Sequence, residues 1–448
     1  MFGVYAPDID VAREAYLGLR TLQHRGHESA GIAVSQGGSI RRHSGPGLVD
    51  QVFDRETLDL LQGELAIGHN RYSTTGGNSA ENEHPFMDKG PLGEMALAHN
   101  GNLTNPDDLR KDLEERRIRA AGSTDSELAA RWIASAGGGS WSENIQAFME
   151  RAEGAYSMAL LTGREVYGFR DPHGVRPLQL GFRGNNWAIS SETLTFRTLG
   201  YHPKRSVAPG EIVRLHQGGL EYVSHSPADR KALCVFEYIY FSRPDSQLEG
   251  RLINRTRKAF GRELAKEAPV DVDVVTPVPQ SGSPFAEGFA DQLDLHHEMA
   301  FARNAYIGRS FIEPGDRRRI VEMKLNPFAD VVRGKRVCVV DDSLVRGNTM
   351  PPIIDMLHDA GATEVHVRIG SPPLIDTCHL GVDIPTQEEL IAVNKTVEEI
   401  RQHIGAHSLA YLSEDGMYRA LEKGSDELCA ACMIGRRPFR GAAPNPVE

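Results

Sequence analysis

The sequence contains no long apolar run. No stretch approaches the roughly 18 consecutive apolar residues of a membrane-spanning helix, so no membrane span is expected. The start, Met1-Phe2-Gly3-Val4-Tyr5-Ala6, lacks the charged head and apolar core of a secretory signal, which reads as a cytoplasmic protein. Cysteine is scarce and late. There are five, an odd number, all at Cys234 or beyond, which speaks against a disulfide framework. Basic excess is missing as well. With 50 Lys and Arg against 61 Asp and Glu, the net charge is −11. No basic stripe interleaved with aromatics occurs, so nucleic acid is not an expected partner. The cluster Arg317-Arg318-Arg319 is local, and a small anionic ligand or plain solvation accounts for it. No internal repeat is present.

What remains is ordinary for a globular protein: 448 residues, 40% hydrophobic and 25% charged, enough chain for two or three domains. The first half has short apolar runs broken by Gly and Asn, such as Ala30–Val34, Leu65–Gly68 and Ala96–His99, which predict strands of a layered domain. Helical patterns lie near 9–23, 105–116 and 125–136, and further strands between 155 and 225, including Ala159–Leu161 and Glu211–Val213. Near residue 230 the character changes. Leu252, Ile253, Thr256, Ala259, Phe260 and Leu264 fit an amphipathic helix. Strands at Val270–Val275, Val337–Val340 and Val365–Ile369 then alternate with helices near 284–292 and 351–360, the signature of a parallel α/β sheet. The stretch Phe301–Gly334 is expected to include a mobile loop, and the tail beyond a Cys-x-x-Cys to be a frayed end.

The run Val339-Val340-Asp341-Asp342-Ser343-Leu344-Val345-Arg346-Gly347-Asn348-Thr349 carries the most chemistry. An apolar strand ends in two carboxylates, and a loop with Gly and hydroxyls leads into a helix. At the carboxyl end of a parallel strand such a loop aims N–H groups and a helix N-terminus at a phosphate. The acids can hold sugar hydroxyls or a metal. Residue types alone also allow a simple turn with a helix cap. The order of the three parts favours a phosphorylated sugar.

The run resembles the phosphoribosyl-pyrophosphate (PRPP) loop of type I phosphoribosyltransferases. Other stretches extend the resemblance along the chain: Leu22-Gln23-His24-Arg25-Gly26, Arg71-Tyr72-Ser73-Thr74-Thr75-Gly76, His99-Asn100-Gly101-Asn102-Leu103, Thr124-Asp125-Ser126-Glu127 and Glu237-Tyr238-Ile239-Tyr240-Phe241-Ser242-Arg243-Pro244-Asp245. Together they resemble the amidophosphoribosyltransferase family from Phe2 to Pro438. The resemblance implies an α+β N-terminal-nucleophile-type four-layer αββα domain over 2–230, an α/β type I phosphoribosyltransferase domain over 231–410 and a C-terminal segment over 411–448. It implies transfer of nitrogen to C1 of PRPP with release of pyrophosphate, forming phosphoribosylamine for purine biosynthesis.

By the same resemblance, Arg71 binds the glutamine carboxylate, Asn100 and Gly101 form an oxyanion hole and Asp125 holds the substrate amino group. The family's glutaminase half attacks with an N-terminal Cys, its α-amino group acting as base. The family's Cys-Gly-Val start aligns with Phe2-Gly3-Val4, and the only Ser, Thr or Cys among the first 28 residues is Thr21. The expectation is therefore no covalent glutamine hydrolysis, with ammonia or another amine as acceptor. In the transferase half, Asp341, Asp342 and Ser281 are the candidates for Mg²⁺, and Ser343, Arg346, Gly347, Asn348 and Thr349 for the 5′-phosphate. Arg303, Arg309 and Lys324 are candidates for the pyrophosphate charge. Departures from the family pattern are a slightly short loop Phe311–Lys324, Glu322 at a usually basic position, Gln280 at a usually acidic one, and Asn348 and Met350 in place of hydroxyl residues.

Cys429-Ala430-Ala431-Cys432 alone fits zinc, redox chemistry, a cluster or nothing. With Cys234 and Cys378 it resembles the ligand set of a [4Fe–4S] cluster in one family branch, zinc being the runner-up. Cys338 reads as plain core. Purine nucleotide regulators and a homo-oligomer follow from the resemblance alone. The alternatives are a phosphoribosyltransferase of specialised metabolism with another acceptor, and a non-catalytic PRPP- or nucleotide-binding relative.

Overall fold

A computed structural model of the chain describes residues 1–72, 80–120, 124–304, 317–384 and 386–439. Residues 305–316, with Arg309 among them, fall in the stretch expected to include a mobile loop and lie outside these residues. No described helix is long and apolar enough to cross a membrane.

Strand alternation builds the first half. In Phe2–Tyr5 every residue is buried, and successive side chains enter different cores. Phe2 and Val4 join Val11, Ala15 and Leu19 of the helix Val11–Thr21. Met1 and Tyr5 join Ile67, Ala98, Leu161 and Val213 between two sheets. One sheet has seven strands in the order His202–Ser206, Gln179–Arg183, Asn186–Ser190, Phe2–Tyr5, Leu65–Arg71, Ser29–Gln36, Ser39–Pro46. The other has six: Gly219–His225, Glu211–His216, Val166–Arg170, Gly154–Thr162, Gly93–Leu103, Phe86–Gly90. Helices Pro106–Glu115, Asp125–Ala134 and Trp141–Arg151 cover the outer face of the second sheet through Leu97, Met158 and Leu160. Four layers result, as expected.

The second half is a parallel sheet in the order Val274–Pro277, Arg336–Asp341, Glu364–Ile369, Ser408–Tyr411. Its strands bury both faces. Val275, Cys338 and Val340 meet Phe260, Phe285 and Phe289, whereas Val337, Val339 and Val367 meet Ile353, Ile354 and Leu357. Cys338 is core, as expected. Ser408–Tyr411 is a short edge strand of half-buried residues. The chain then returns, and Leu428–Cys429 pairs in parallel with Leu233–Cys234.

A buried ion network joins the halves. Glu237 is fully buried and accepts from Arg25 Nη2 at 2.6 Å, Arg176 Nη1 at 3.3 Å and Ser242 Oγ at 2.8 Å. Glu192 meets His24 at 2.6 Å and Arg25 at 2.8 Å, and accepts from the Arg243 amide and Ser246 Oγ. Burial alone would push both carboxyls up. The pull of Arg25, with His24 on Glu192 and Arg176 on Glu237, holds both below the ordinary 4.5. Their contribution to stability is therefore complete above that pH and is lost as the pH falls through the depressed values. Glu237→Gln leaves buried guanidinium groups short of charge, with an expected cost of roughly 3–5 kcal/mol. An unchanged urea midpoint would refute this role.

Candidate functional site

Asp341 and Asp342 stand at the carboxyl end of the strand Arg336–Asp341. Burial, and then the charge of Asp342 beside it, pushes the Asp341 carboxyl well above its usual range. Ser343 Oγ donates to Asp342 Oδ1 at 2.6 Å. The loop crosses Gly347, whose φ of 73° suits glycine, and enters the helix Met350–Asp359. Thr349 is the N-cap but makes no side-chain cap bond, and Pro351 and Pro352 follow in the first turn. The opening of the helix thus faces outward with Asn348 and Thr349 exposed, a geometry suited to phosphate. Arg346 is engaged with Glu389 at 2.5 Å.

The neighbouring strand Val274–Pro277 brings a second loop to the same edge. The Val278 amide donates to the Val340 carbonyl at 2.9 Å. Gly282 packs so closely that a Cβ there would lie 2.4 Å from that carbonyl oxygen. Ser281 and Gln280 are thereby placed beside the acids, and Arg303 Nη1 donates to Gln280 Oε1 at 2.7 Å. Lys324 ends the helix Arg317–Lys324, and its carbonyl accepts from the Asn304 amide.

At one end of the four-layer half, a second group of predicted residues converges on the strand Gly93–Leu103. The His99 amide donates to His84 Nδ1, and the Leu103 amide to Asp125 Oδ2 at 2.8 Å. Both N–H groups therefore point away from the partner strand Gly154–Thr162. Strand parity directs the Gly101 N–H, which lies between them, the same way. Asn100 Nδ2 is buried and has no partner among the described residues. These two donors suit an oxyanion. Arg71 ends the strand Leu65–Arg71, buried, 3.8 Å from Glu28. Burial pushes the imidazoles of His69, His84 and His99 down, and the first two stack at 4.3 Å. Ser126 Oγ lies 2.9 Å from His99 Nδ1, but Asp125 approaches the same nitrogen at 3.7 Å. One ring nitrogen cannot both take the serine proton and donate to the acid, so these three do not form a catalytic triad.

Cys234, Cys378, Cys429 and Cys432 line one cavity with Val175, Leu380 and Arg437. Cys234 and Cys429 are opposite each other in their parallel pair. Burial pushes the Cys429 thiol up to about 11 and raises Cys234 and Cys432 as well. Arg176 stands within electrostatic reach of Cys234 and Cys429, and its Nη2 is buried with no hydrogen-bond partner among the described residues. Among the described residues no three His, Cys, Asp or Glu side chains gather tightly enough to hold a single metal ion.

Residues 69–198 match a family described as a glutamine amidotransferase domain, and 252–369 one described as a phosphoribosyl transferase domain. An amidophosphoribosyltransferase of Synechococcus elongatus is 47% identical over 100% of this chain and 92% of its own length. The chain belongs to the amidophosphoribosyltransferase family. Another member, from Methanocaldococcus jannaschii, is 42% identical over 98% of this chain and 97% of its own. The glutamine phosphoribosylpyrophosphate amidotransferase of B. subtilis, solved with ADP and GMP, is 39% identical at a TM-score of 0.92, covering 99% of this chain and 98% of that one.

Placing the amidophosphoribosyltransferase residues in the structure corrects the position assigned to Phe2. Its ring lies in the helix-side core against Gly18, not in the gap between the sheets. It pairs with Gly68, three residues short of Arg71 on that strand. An alignment on Gly-Val cannot see which face a side chain takes. The sequence reading also missed the Arg25–Glu237–Arg176 network and the gathering of His69, His84 and His99, because a charged or imidazole side chain carries no local sign of burial.

Proposed function

We propose that this chain forms phosphoribosylamine from PRPP, with release of pyrophosphate, in purine biosynthesis. The observation that carries the reading is the pair Asp341–Asp342 beside an uncapped helix N-terminus, in a chain related over its length to amidophosphoribosyltransferases. Ser343 to Thr349 hold the 5′-phosphate, and the acids orient the ribose hydroxyls. Arg303 and Lys324 face the charge that gathers on the departing pyrophosphate. As that bond lengthens, the anomeric carbon gains cationic character, and a nitrogen lone pair held in line completes the exchange. Asp341, Asp342 and Ser281 suit Mg²⁺, because a divalent cation would offset the burial and the repulsion from Asp342 that raise Asp341. When bound, Mg²⁺ supplies positive charge to the leaving group. Purine nucleotides are proposed as regulators, since the B. subtilis relative is solved with ADP and GMP.

Within residues 1–448 the nitrogen comes from ammonia or another amine. Supporting this, Thr21, the sole Ser, Thr or Cys among the first 28 residues, donates its Oγ1 hydrogen to the Gly18 carbonyl. All five thiols occur at Cys234 or later. Pyrophosphate release from PRPP, measured with and without ammonium, tests the reading. Release that ignores ammonium would refute it.

The cysteine site suits a [4Fe–4S] cluster. Four thiols line one cavity, and Arg176, whose Nη2 has no hydrogen-bond partner among the described residues, stands within electrostatic reach of two of them. A single zinc ion would need its sulfurs about 3.8 Å apart. Four thiolates on four separate irons are spread more widely. When bound, the cluster cross-links the 231–234, 378 and 429–432 segments. Anaerobic purification is expected to give a brown protein with about four irons per chain, and Cys378→Ser to lower that content. A colourless, iron-free sample would refute the cluster.

A further inference from the structure

Residues 376–384 connect the cysteine cavity to the oxyanion backbone. At one end, the Ile375 and Asp376 amides donate to the Cys432 carbonyl at 2.8 and 3.1 Å, and the Leu380 amide donates to Cys378 Sγ at 3.3 Å. Three consecutive residues then touch the other half of the protein. The His379 carbonyl accepts from Asn102 Nδ2 at 2.9 Å. The Leu380 carbonyl accepts from Arg176 Nε at 3.2 Å. Gly381, at a φ of 90°, approaches Gly101 so closely that a Cβ would lie 2.7 Å from the Gly101 carbonyl carbon.

The contact falls where the oxyanion strand is least supported. Phe86–Gly90 pairs with Gly93–Leu103 only as far as Leu97, so from Ala98 onward one edge has no strand beside it among the described residues. In this stretch Gly381 packs against the Gly101 backbone and the His379 carbonyl holds the Asn102 side chain. An oxyanion donor displaced by about 1 Å loses most of its effect, so whatever fixes this edge sets the geometry of the site.

We propose that residues 376–384 act as a strap that transmits the state of the four-cysteine site to the oxyanion backbone, with Gly381 as a positioning residue for Gly101. What fills the cysteine site rests on the cluster reading above. Cross-linking Cys378 to Cys234, Cys429 and Cys432 removes slack at one end of the strap, and the three contacts carry that order to Asn100–Asn102.

Hydrogen exchange by mass spectrometry on the whole chain, metal-free and after anaerobic loading with iron and sulfide, tests this. Loading is expected to slow exchange across 99–103 about tenfold or more. Gly381→Ala should cancel that difference at unchanged iron content. Should Gly381→Ala not fold, Asn102→Ala removes one tether without a clash and should shrink the difference. Equal exchange across 99–103 in both states, with 428–434 slowed, would overturn the strap while leaving the cluster intact. If iron is not taken up, the cluster reading fails by itself. The metal-free protein then decides the strap: faster exchange across 99–103 in Gly381→Ala and Cys378→Ser supports it, and no change in either overturns it.

Discussion

Asp341→Asn is expected to lower kcat/KM for PRPP by roughly 10²–10³-fold, about 3–4 kcal/mol of transition-state stabilisation, and Asp342→Asn by a similar factor. Both carboxylates stand at the end of a parallel strand, where the proposed reading puts the sugar, and both would share the cation that draws pyrophosphate away. An amide keeps the shape and one acceptor oxygen but loses the charge. Stability should move the opposite way for Asp341. Its carboxyl is held well above the usual range in the folded protein by burial and by Asp342, so ionising it there disfavours folding. That penalty grows as the pH rises through the raised value and vanishes in acid. Asp341→Asn should therefore raise the thermal midpoint of the metal-free protein at neutral and alkaline pH, and leave it unchanged at acid pH. Loss of activity with gain of stability is the mark of a functional carboxylate at some structural cost. Activity within tenfold of the unaltered chain at saturating Mg²⁺ would remove Asp341 from the site.

What the sequence made legible was local. The order of apolar strand, two acids and Gly-containing loop predicted a strand ending at the acids and a helix starting after Thr349, which the structure has, because strand, turn and helix start are set within about a dozen residues. Asn100, Gly101 and Asp125 were found as short stretches, and the structure joins them through the Leu103 amide. What stayed hidden depends on distant partners. Arg25 and Glu237 lie 212 positions apart and look in sequence like surface charges. Ser408–Tyr411 is a strand only because Glu364–Ile369 offers an edge. Phe2 shows the sharpest limit. Its neighbours Gly3 and Val4 suggested one alignment, but the alternation of a strand decides which face a residue takes, and that face holds the helix core.

The 448-residue chain is expected to release glutamate from glutamine at no more than background rate while still forming pyrophosphate from PRPP when ammonium is present. If Arg71, Asn100 and Gly101 hold the roles the family resemblance implies, the covalent route requires a nucleophile between them. Ser126 does not supply it, since its hydroxyl and Asp125 compete for one nitrogen of His99. The strand register says where a nucleophile must stand. Phe2 lies opposite Gly68, which puts Met1 opposite His69 and the next two positions outward opposite Asn70 and Arg71. The second of these shares the face of Met1, toward the gap between the sheets. A version carrying Cys-Gly ahead of Met1, with the thiol at the very N-terminus, should therefore gain glutamate release, and replacing that added Cys by Ser should reduce it sharply. The ammonium-dependent reaction should be equal in all three proteins, because the transferase acids lie in the other half of the chain. Glutamate release by the 448-residue chain at the rate of its ammonium-dependent turnover would place a working nucleophile among its own residues and refute the prediction. A silent extended protein with full ammonium-dependent activity would show instead that the register argument puts the thiol in the wrong place.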